Sequence, residues 1–498
     1  MYLKPLPTRI YRPTALMHPT DISDRLASHL AAIRFEQLPA EAIEAAKRSL
    51  LDAVGVMLGA SGLGEGCAAL ADLARASPGE CELLGYATEA PLIPAVLANG
   101  ALAHALDFED AFDAAPCHPN AALIPVVLAL AQARGPVSGR DLVTAIASGC
   151  DLVCRLTLAL RADPGDFGWY TPPILGAFGA TAAAARLLRL TPLAIRDALS
   201  LTLCQSTCSA ELKYSRRSVV RAVRDGFSAQ AGLVSALLAE RGVAGFEQPI
   251  EGRAGLYALY ARGSWDADAL IAGLGAHFYG AEVSFKPWPS CRGTHALIEA
   301  ALDIRQDWGG SLPVIDRILT RGGPVQRMLI EPRAQKLRPQ TAIDAKFSIP
   351  FTVATALAHG DVTLERFSDA ALNDADVLAL AQRVEFEIDP AAGPTDATAG
   401  SIDILLRDGQ IIARRIEHPR GHPSRPMSWD ELVAKFRMCA AQAHTAPSAA
   451  QISRLVGAIQ HLETLDNAGA ALRTAGNKPP TSEAEPAGTV DPRAAHRF

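Results

Sequence analysis

Alanine, leucine and glycine fill the long apolar segments of this chain, and this composition favours closely packed helices. Aromatic residues make up only 6% of a sequence that is 49% hydrophobic, whereas strands favour aromatic and β-branched residues. From Pro125 to Leu238 the apolar pattern is helical. This stretch also offers a small-residue face for close helix packing, formed by Gly176, Gly179, Ala180, Ala183 and Ala184. We therefore predict a mainly α fold.

The chain of 498 residues is long enough for two domains, since single hydrophobic cores stop growing at roughly 250 to 300 residues. The composition changes near Phe285, where short β-prone runs begin. These runs are Arg317 to Thr320, Val384 to Ile388 and Ile402 to Leu406, and Asp408-Gly409 before Ile411 predicts a hairpin. We expect a smaller α+β lid domain, residues 282–412, inserted into a large all-helical domain built from residues 21–281 and 413–465.

The remaining segments are predicted as an N-terminal arm, residues 1–20, and a disordered tail, residues 466–498, which is rich in Ala, Gly, Pro, Glu and Thr. Ser428 and Glu431 have the spacing of a capping box, so we expect a final helix there that returns to the helical domain. An early helix is predicted to begin near Pro39 and to end at Gly59, where the run Gly59 to Gly64 indicates a flexible turn.

Charge and cysteine usage exclude several classes of function. The net charge of -6 gives no general attraction to nucleic acid. No apolar run reaches the roughly 18 to 20 residues of a membrane span. The nine cysteines are spread along the chain, and the pairs Cys150/Cys154 and Cys204/Cys208 suggest core thiols in a reducing compartment. We expect a cytoplasmic protein with no nucleic acid or membrane partner.

A dense set of ionisable side chains lies between apolar helical runs from Ala98 to Pro125. They are His104, Asp107, Glu109, Asp110, Asp113 and His118. Burying charge is costly unless it is paired, so we interpret this segment as one wall of an active site. His118 is a candidate for proton transfer, with Asp107 as the best candidate to orient it. A histidine that caps the following helix fits the position of His118 equally well.

A basic cluster forms the second candidate region: Lys213, Arg216, Arg217, Arg221 and Arg224. Arg217, Arg221 and Arg224 fall on one helical face. Guanidinium groups bind carboxylates in bidentate fashion, so this face suits a di- or tricarboxylic acid. A solvated basic face or a salt-bridged dimer surface explains the pattern at least as well.

The segment from Phe285 to His295 lies where the two predicted domains meet, and domain junctions are favoured ligand sites. Lys286, Arg292 and His295 supply donors for an anion there, whereas Cys291 fits packing better than a nucleophile. The chain has no His-Glu-x-x-His run and no CxxC pair. We therefore predict no metal and no cofactor.

Several short motifs occur along the chain in a fixed order from about residue 22 to 440. They are Asn99-Gly100, His104 to Asp110, His118-Pro119, Gly176 to Ala180, Lys286 to Cys291, Phe347 to Pro350 and His418 to Pro423. Each motif is weak alone, but the ordered set resembles the MmgE/PrpD family. The resemblance implies a large helical domain with a smaller α+β lid, a homodimer, and cofactor-free lyase or isomerase chemistry on small polycarboxylates.

The resemblance also implies site residues, because Asp107, His118 and Lys286 match active-site positions of the family's decarboxylases. Four other positions depart from that pattern: Ala111 replaces threonine, Tyr170 histidine, Arg221 lysine and Phe351 tyrosine. Arg221 keeps a cation but donates protons poorly, and Phe351 removes a hydroxyl. These replacements argue against cis-aconitate decarboxylation and against 2-methylcitrate as the specific substrate.

The resulting hypothesis is a cofactor-independent, dehydratase-type lyase that removes a proton α to a carboxylate of a small polycarboxylate. His118, oriented by Asp107, is the base, and Tyr170 assists the departing hydroxyl. Lys286 is placed with these catalytic residues and also holds anionic groups of the substrate. The substrate-binding set is Arg221, Arg224, Arg292, His104 and His295. Two alternatives remain open: an epimerase or isomerase of a small dicarboxylate, and a catalytically inactive carboxylate-binding homologue.

Overall fold

The computed structural model describes residues 22–474 except 216–217, 311 and 394–395. The predicted arm, residues 1–20, therefore lies outside the described residues, as do Arg216, Arg217 and the part of the predicted tail after residue 474. Helices dominate what is described, so the prediction of a mainly α chain is confirmed.

The helices of the described residues are α1 (Ile22–Ala32), α2 (Ala40–Leu63), α3 (Cys67–Ala74), α4 (Leu92–Ala105), α5 (Leu123–Ala133), α6 (Gly139–Leu158), α7 (Thr171–Leu187), α8 (Pro192–Leu203), α9 (Val220–Glu240), α10 (Leu256–Ala261), α11 (Ala267–Ile271), α12 (His295–Trp308), α13 (Arg333–Leu337), α14 (Ala342–Lys346), α15 (Ile349–His359), α16 (Asp369–Leu372), α17 (Ala375–Ala381), α18 (Trp429–Ala441), α19 (Ala449–Gln460) and α20 (Ala468–Ala471). The strands are β1 (Cys81–Leu83), β2 (Thr88–Ala90), β3 (Ala111–Phe112), β4 (Val283–Ser284), β5 (Ile315–Gly322), β6 (Val384–Ile388), β7 (Gly400–Leu406) and β8 (Ile411–Ile416).

Small residues let the central helices α4, α6, α7 and α9 pack closely. A Cβ atom added to Gly179 of α7 would lie 2.3 Å from Val153 of α6, and one added to Gly232 of α9 would lie 2.7 Å from the carbonyl of Ala177. At these distances no larger side chain fits without displacing a helix. The predicted small-residue face of α7 is thus confirmed.

Most of the β structure lies in one four-stranded sheet with the order β6-β5-β7-β8. β5 pairs parallel to β6 and antiparallel to β7, and β7 and β8 form the predicted hairpin. Gly409 in its turn has a φ of +90°, a conformation that glycine adopts without strain. Alternate residues of β7 are buried, and α12 packs against β7 and β8. β8 continues to Ile416, four residues past the expected lid boundary at residue 412.

Helix α18 returns to the helices of the first half of the chain, as predicted. Ser428 caps it, and both bonds of the Ser428–Glu431 capping box are present. Its buried Phe436 packs on Gly55 of α2, where an added Cβ would lie 3.0 Å from the Phe436 ring. The expected turn from Gly59 to Gly64 is wrong for its first five residues, since α2 continues to Leu63. These glycines instead admit α18, because a Cβ on Gly62 would lie 1.9 Å from the carbonyl oxygen of Gln442.

The expectation of disorder from residue 466 is corrected for residues 466–474. Helix α20 lies there, Ala468 is buried, and the backbone N–H of Thr474 donates to Glu82 at 2.9 Å. All nine cysteines are free thiols, but Cys204 is exposed and Cys208 half-buried, so this pair is not the core pair expected. No single helix of the described residues has both the length and the apolar character of a membrane span; α2 and α3 satisfy the criteria only jointly, with a bend of 98° between them.

Candidate active site

Helices α4 and α9 meet at two glycines, and this contact sets the position of the site. A Cβ on Gly100 would lie 2.8 Å from the Cα of Gly226, and one on Gly226 would lie 2.4 Å from the carbonyl oxygen of Leu97. The close approach brings the C-terminal turn of α4 beside the first turns of α9. His104 of α4 therefore contacts Arg224 of α9 through its Nε2 atom.

The loop after α4 carries the acidic residues of the cluster. Asp107 has a φ of +48°, so the chain leaves the helix in a left-handed conformation. The loop then forms β3, whose Ala111 and Phe112 pair antiparallel with Ser284 and Val283 of β4. Because Lys286 follows β4 by two residues, this pairing brings it to the acidic loop.

Glu109 lies at the centre of the cluster. Its Oε1 atom is 2.5 Å from Nδ1 of His104, 3.0 Å from Nδ1 of His118 and 3.8 Å from Nζ of Lys286. The side chain is buried, and Oε2 has no hydrogen-bond partner among the described residues. One carboxylate thus connects both histidines and the lysine. It was not among the predicted site residues, although it stands in the acidic segment.

The contacts of His118 fix the tautomer of its neutral ring. Nδ1 lies 2.8 Å from the backbone carbonyl oxygen of Asp110, and a carbonyl can only accept a hydrogen bond. Nδ1 therefore carries the proton and Nε2 keeps a free lone pair. Burial lowers the pKa of His118 to about 3, against the opposing effect of Glu109. The low pKa keeps the imidazole neutral at neutral pH. Because 14% of the side-chain surface is exposed, this neutral ring is accessible as a proton acceptor.

Asp107 binds Lys286 and does not orient His118, which corrects the sequence-based expectation. Nζ of Lys286 donates to Oδ1 of Asp107 at 2.8 Å and to its backbone carbonyl at 3.0 Å. Both side chains are fully buried. Burial opposes the charge on Lys286, but Asp107 and Glu109 outweigh it and raise the pKa of the ammonium. Burial also opposes the charge on Asp107, but Lys286, His104 and His118 together outweigh it and lower the pKa of Asp107 below the usual range.

Arg221 and Arg224 bring two buried guanidinium groups to the cluster from α9. Nε and Nη2 of both side chains lack hydrogen-bond partners among the described residues. The Tyr170 ring lies 4.9 Å from Cζ of Arg224 and 5.7 Å from Cζ of Arg221, and Cζ of Arg221 lies 3.3 Å from the centre of the Phe347 ring. Nε of Arg224 still lies 3.5 Å from Oδ2 of Asp225, an ion pair within α9. Buried charged donors without partners are costly, and an anion would satisfy those of Arg221 and Nη2 of Arg224.

Arg292 and His295, two other predicted substrate-binding residues, use their polar atoms within the protein. Arg292 forms an ion pair with Asp113, with Nη2 2.8 Å from Oδ2, and its Nη1 donates to the carbonyl of Arg420 at 3.1 Å. Nε2 of His295 lies 3.1 Å from the carbonyl of Ser290. Neither side chain hydrogen-bonds to the Glu109 cluster in the part of the chain that is described. These two residues hold the segment that follows β4.

Two of the four positions predicted to depart from the pattern of related decarboxylases lie buried in packed parts of the structure. Ala111 is a buried residue of β3, and Phe351 is fully buried with its ring 6.1 Å from that of Phe367. Tyr170 and Arg221, by contrast, lie beside the cluster. The chemical consequences of the departures therefore concentrate on Tyr170 and Arg221.

His104, Asp107, Glu109 and His118 are also a geometric candidate for a metal site, since one ligand atom from each lies within 4.8 Å of the others. The donor set fits a divalent cation poorly, because the Lys286 ammonium contacts Asp107 at 2.8 Å. His104 offers no free nitrogen either, since Nδ1 binds Glu109 and Nε2 accepts from Arg224. A histidine must present a lone pair to bind metal.

Two family domains match this chain in consecutive order. The MmgE/PrpD N-terminal domain matches residues 24–267, and the MmgE/PrpD C-terminal domain matches residues 288–460. The chain belongs to the MmgE/PrpD family. His104, His118 and Arg224 lie in the first match, and Lys286 lies between the two matches. Phe347, whose ring contacts Arg221, lies in the second match.

Individual relatives of this MmgE/PrpD protein carry one recurring name. The chain is 28% identical over 382 residues to human cis-aconitate decarboxylase, and the match covers 75% of this chain and 77% of the relative. It is 26% identical over 391 residues to the Mus musculus enzyme of the same name, covering 76% and 77%. It is 25% identical over 460 residues to the Aspergillus terreus enzyme, covering 88% and 92%.

Proposed function

We propose that this MmgE/PrpD protein is a cofactor-independent lyase that abstracts a proton α to a carboxylate of a small polycarboxylate, with elimination of water as the preferred reaction. The neutral His118 ring carries the proposal, because its Nδ1 proton is held by the Asp110 carbonyl at 2.8 Å and by Glu109 at 3.0 Å. Nε2 is left as the proton acceptor. A base held in one tautomer by a carboxylate behind it suits general base catalysis.

In the proposed step, Nε2 of His118 takes the α-proton and the C–H electron pair forms a C=C double bond. The bond to the β-hydroxyl breaks, and Tyr170 protonates the leaving oxygen to give water. The imidazolium then returns its proton to solvent and Tyr170 recovers one. The product is an unsaturated acid, so no oxidant or reductant is consumed.

Arg221 and Arg224 would bind the substrate carboxylates in this mechanism. Nε and Nη2 of Arg221 and Nη2 of Arg224 form no hydrogen bond with any described residue, and both side chains are buried beside the Tyr170 ring. Cations near the substrate carboxylate also stabilise the negative charge that develops on it as the C–H bond breaks. Lys286, whose Nζ lies 2.8 Å from Asp107 and 3.8 Å from Glu109, would add a further positive charge to the site.

Decarboxylation is the second candidate, favoured by the name that the relatives from three organisms share. The same carboxylate-binding groups would serve it, but loss of CO2 leaves an electron pair on carbon that a proton must quench, and the neutral His118 would first have to take up that proton from solvent. The Tyr170 and Arg221 positions, where this chain departs from the family's decarboxylases, support elimination over this reaction. Epimerisation would use the same base without loss of a group.

The expected domain arrangement belongs to the same proposal. Residues 282–412 would act as a lid on the helical part formed by residues 21–281 and 413–465. Two residues of the lid segment contact residues of the helical part: Lys286 pairs with Asp107, and the Phe347 ring contacts Arg221. These contacts support this division. We further propose that the protein is a homodimer.

A substrate screen tests the proposed function. Hydroxy and unsaturated di- and tricarboxylates would be incubated with wild-type protein and followed by ultraviolet absorbance of the alkene, by CO2 release and by deuterium incorporation from heavy water. Gain of alkene absorbance supports elimination, CO2 release supports decarboxylation, and deuterium incorporation without either supports epimerisation. H118A and K286A serve as controls. Full turnover by H118A, or binding without any turnover across the panel, would exclude the proposal.

A further inference from the structure

Three buried lysines donate hydrogen bonds to three consecutive backbone carbonyls in the acidic loop. Nζ of Lys346 lies 2.6 Å from the carbonyl oxygen of Leu106, Nζ of Lys286 lies 3.0 Å from that of Asp107, and Nζ of Lys435 lies 2.6 Å from that of Phe108. The three come from α14, from the segment after β4 and from α18, which are far apart in the chain.

The conformation of this loop explains why ammonium donors stabilise it. Leu106 is the C-cap residue of α4, and the two other carbonyls follow it directly. The helix dipole makes this end of α4 negative, so ammonium groups are favoured beside it. Asp107 adds the left-handed φ of +48°, a conformation that aspartate adopts more readily than most non-glycine residues but that still costs free energy. Fixing the carbonyls on either side of this residue fixes the directions in which Asp107 and Glu109 point.

The burial of Lys346 and Lys435 shows that they are more than surface contacts. Only 2% of Lys346 and 6% of Lys435 are exposed. Lys435 is balanced by Asp52, whose Oδ1 lies 2.6 Å away. Lys346 forms no ion pair with any described residue, and its other close contact is the Phe367 ring at 5.2 Å. An ammonium buried with a single carbonyl acceptor is costly, so the loop carbonyl is its main partner.

We propose that Lys346 and Lys435 are positioning residues that, with Lys286, hold residues 106–108 in the conformation that presents Asp107 and Glu109 to the site. Among the described residues, neither Lys346 nor Lys435 forms a hydrogen bond or ion pair with His118 or with the proposed carboxylate-binding arginines. The catalytic part of this inference depends on the proposed function, because only a working enzyme reveals a loss of turnover. The structural part stands alone.

Local hydrogen exchange tests the structural part without any substrate. Lys346→Met removes one donor at similar length, and Lys435→Met with Asp52→Asn removes the second together with its counter-charge. Arg155→Met is the matched control, because Arg155 is a buried cation that holds other carbonyls, those of Ala272 and His277. Each variant would be compared with wild type by amide exchange and mass spectrometry, with peptides that cover residues 104–113.

Faster exchange confined to residues 104–113 in the lysine variants, and absent from R155M, supports the inference. Unchanged exchange there, or an increase spread evenly over the whole chain, overturns it. If K346M does not fold, the variant that combines Lys435→Met with Asp52→Asn carries the comparison with R155M alone.

Turnover measurements test the catalytic part with whichever polycarboxylate the screen identifies. We expect kcat to fall about 10- to 100-fold in both lysine variants, since small misplacements of catalytic groups have effects of this order. KM should stay within about threefold, because the arginines are untouched and small pocket changes shift binding little. A rise in KM at constant kcat overturns the catalytic part. If wild type turns nothing over, the proposed function fails, and exchange alone decides whether the lysines hold the loop.

Discussion

Oε1 of Glu109 lies 3.0 Å from Nδ1 of His118, on the opposite side of the imidazole from the nitrogen that would take a substrate proton. The same oxygen accepts from Nδ1 of His104, whose Nε2 accepts from Arg224. A continuous series of close polar contacts therefore runs from the base to the guanidinium proposed to bind the substrate. Glu109 stabilises the imidazolium that forms when His118 takes a proton.

Glu109→Gln should lower kcat about 100-fold with little change in KM. The substitution keeps the volume of the side chain and removes the charge that stabilises the imidazolium, an effect within the usual 10²- to 10⁴-fold range of acid-base catalysis. Steady-state kinetics on the screened substrate measures it, with thermal unfolding as a check on folding. D107N is the comparison variant, because it also removes a carboxylate charge from the cluster, but from a residue that pairs with Lys286 at 2.8 Å and not with His118. An E109Q enzyme with more than half of wild-type kcat would contradict the role given to Glu109.

Arg221→Met should raise KM about 100-fold without reducing stability. Hydrogen bonds to charged groups contribute about 1.5 to 3 kcal/mol each, which corresponds to roughly 10- to 150-fold in binding. Nε and Nη2 of Arg221 have no partner among the described residues, so methionine removes no hydrogen bond from them. KM and the midpoint of thermal unfolding measure the two effects.

Arg155→Met provides the contrast for this prediction. Arg155 is equally buried, but it binds Asp151 at 2.6 Å and several carbonyls, so its loss should cost about 3 to 5 kcal/mol of stability. Its KM should stay at the wild-type value. If R221M loses as much stability as R155M, Arg221 is a structural cation and not a substrate-binding one.

The sheet was predictable from sequence because its signals are local. The alternation in Ile402 to Leu406 and the turn at Asp408-Gly409 depend on neighbouring residues, and β6 begins and ends as predicted at Val384 and Ile388. The glycines after Gly59 misled the prediction for a physical reason. A missing side chain indicates flexibility in sequence, but in the structure it admits a helix nearly 400 residues away in the chain.

The candidate site was predictable in membership but not in pairing. His104, His118, Arg221, Arg224 and Lys286 were identified, and they meet at one cluster. Asp107 was expected to face His118. In the structure Asp107, at its left-handed turn, pairs with Lys286, and Glu109 is the carboxylate that faces His118. The ion pair that engages Arg292 depends on β3 pairing with β4, a contact across 170 residues that no local pattern reveals.

Stability at neutral pH should improve when Asp110 is replaced by asparagine. Burial, with smaller contributions from Asp52 and Glu109, raises the pKa of Asp110 to about 7 from an ordinary value of 3.8. The folded protein therefore binds more protons than the unfolded chain between these values, and stability from this group is lost as pH rises from about 4 to about 7. The D110N variant has no carboxyl group at this position, so it does not lose this stability as the pH rises.

The difference between D110N and wild type is the quantity to measure, by urea unfolding at several values between pH 4 and pH 8. The free energy of unfolding of D110N relative to wild type should rise with pH and then level off above pH 7. Its total rise is of the order of 4 kcal/mol, at about 1.4 kcal/mol per pKa unit. A difference that stays constant with pH would mean that Asp110 is ionised in the folded protein throughout.

Removal of metal ions should leave turnover unchanged, although four side chains of the cluster lie within reach of one ion. The Lys286 ammonium already neutralises Asp107 and lies 3.8 Å from Glu109, so a divalent cation would meet a positive charge there. Activity would be compared before and after dialysis against a chelator, and elemental analysis would follow the purified protein. Activity that disappears on dialysis and returns with one specific divalent ion would assign the cluster to a metal.

Tyr170→Phe separates the two roles open to Tyr170. Its ring lies 4.9 Å from Cζ of Arg224, and phenylalanine keeps a ring there, so KM should change less than about threefold. Loss of the hydroxyl removes the proposed proton donor to the leaving group, and kcat should fall about 100-fold. A substrate analogue with a better leaving group than hydroxide should narrow this gap, because it needs no proton. If Y170F keeps wild-type kcat on the hydroxy acid, the hydroxyl has no part in elimination, and the other cluster residues must supply the proton.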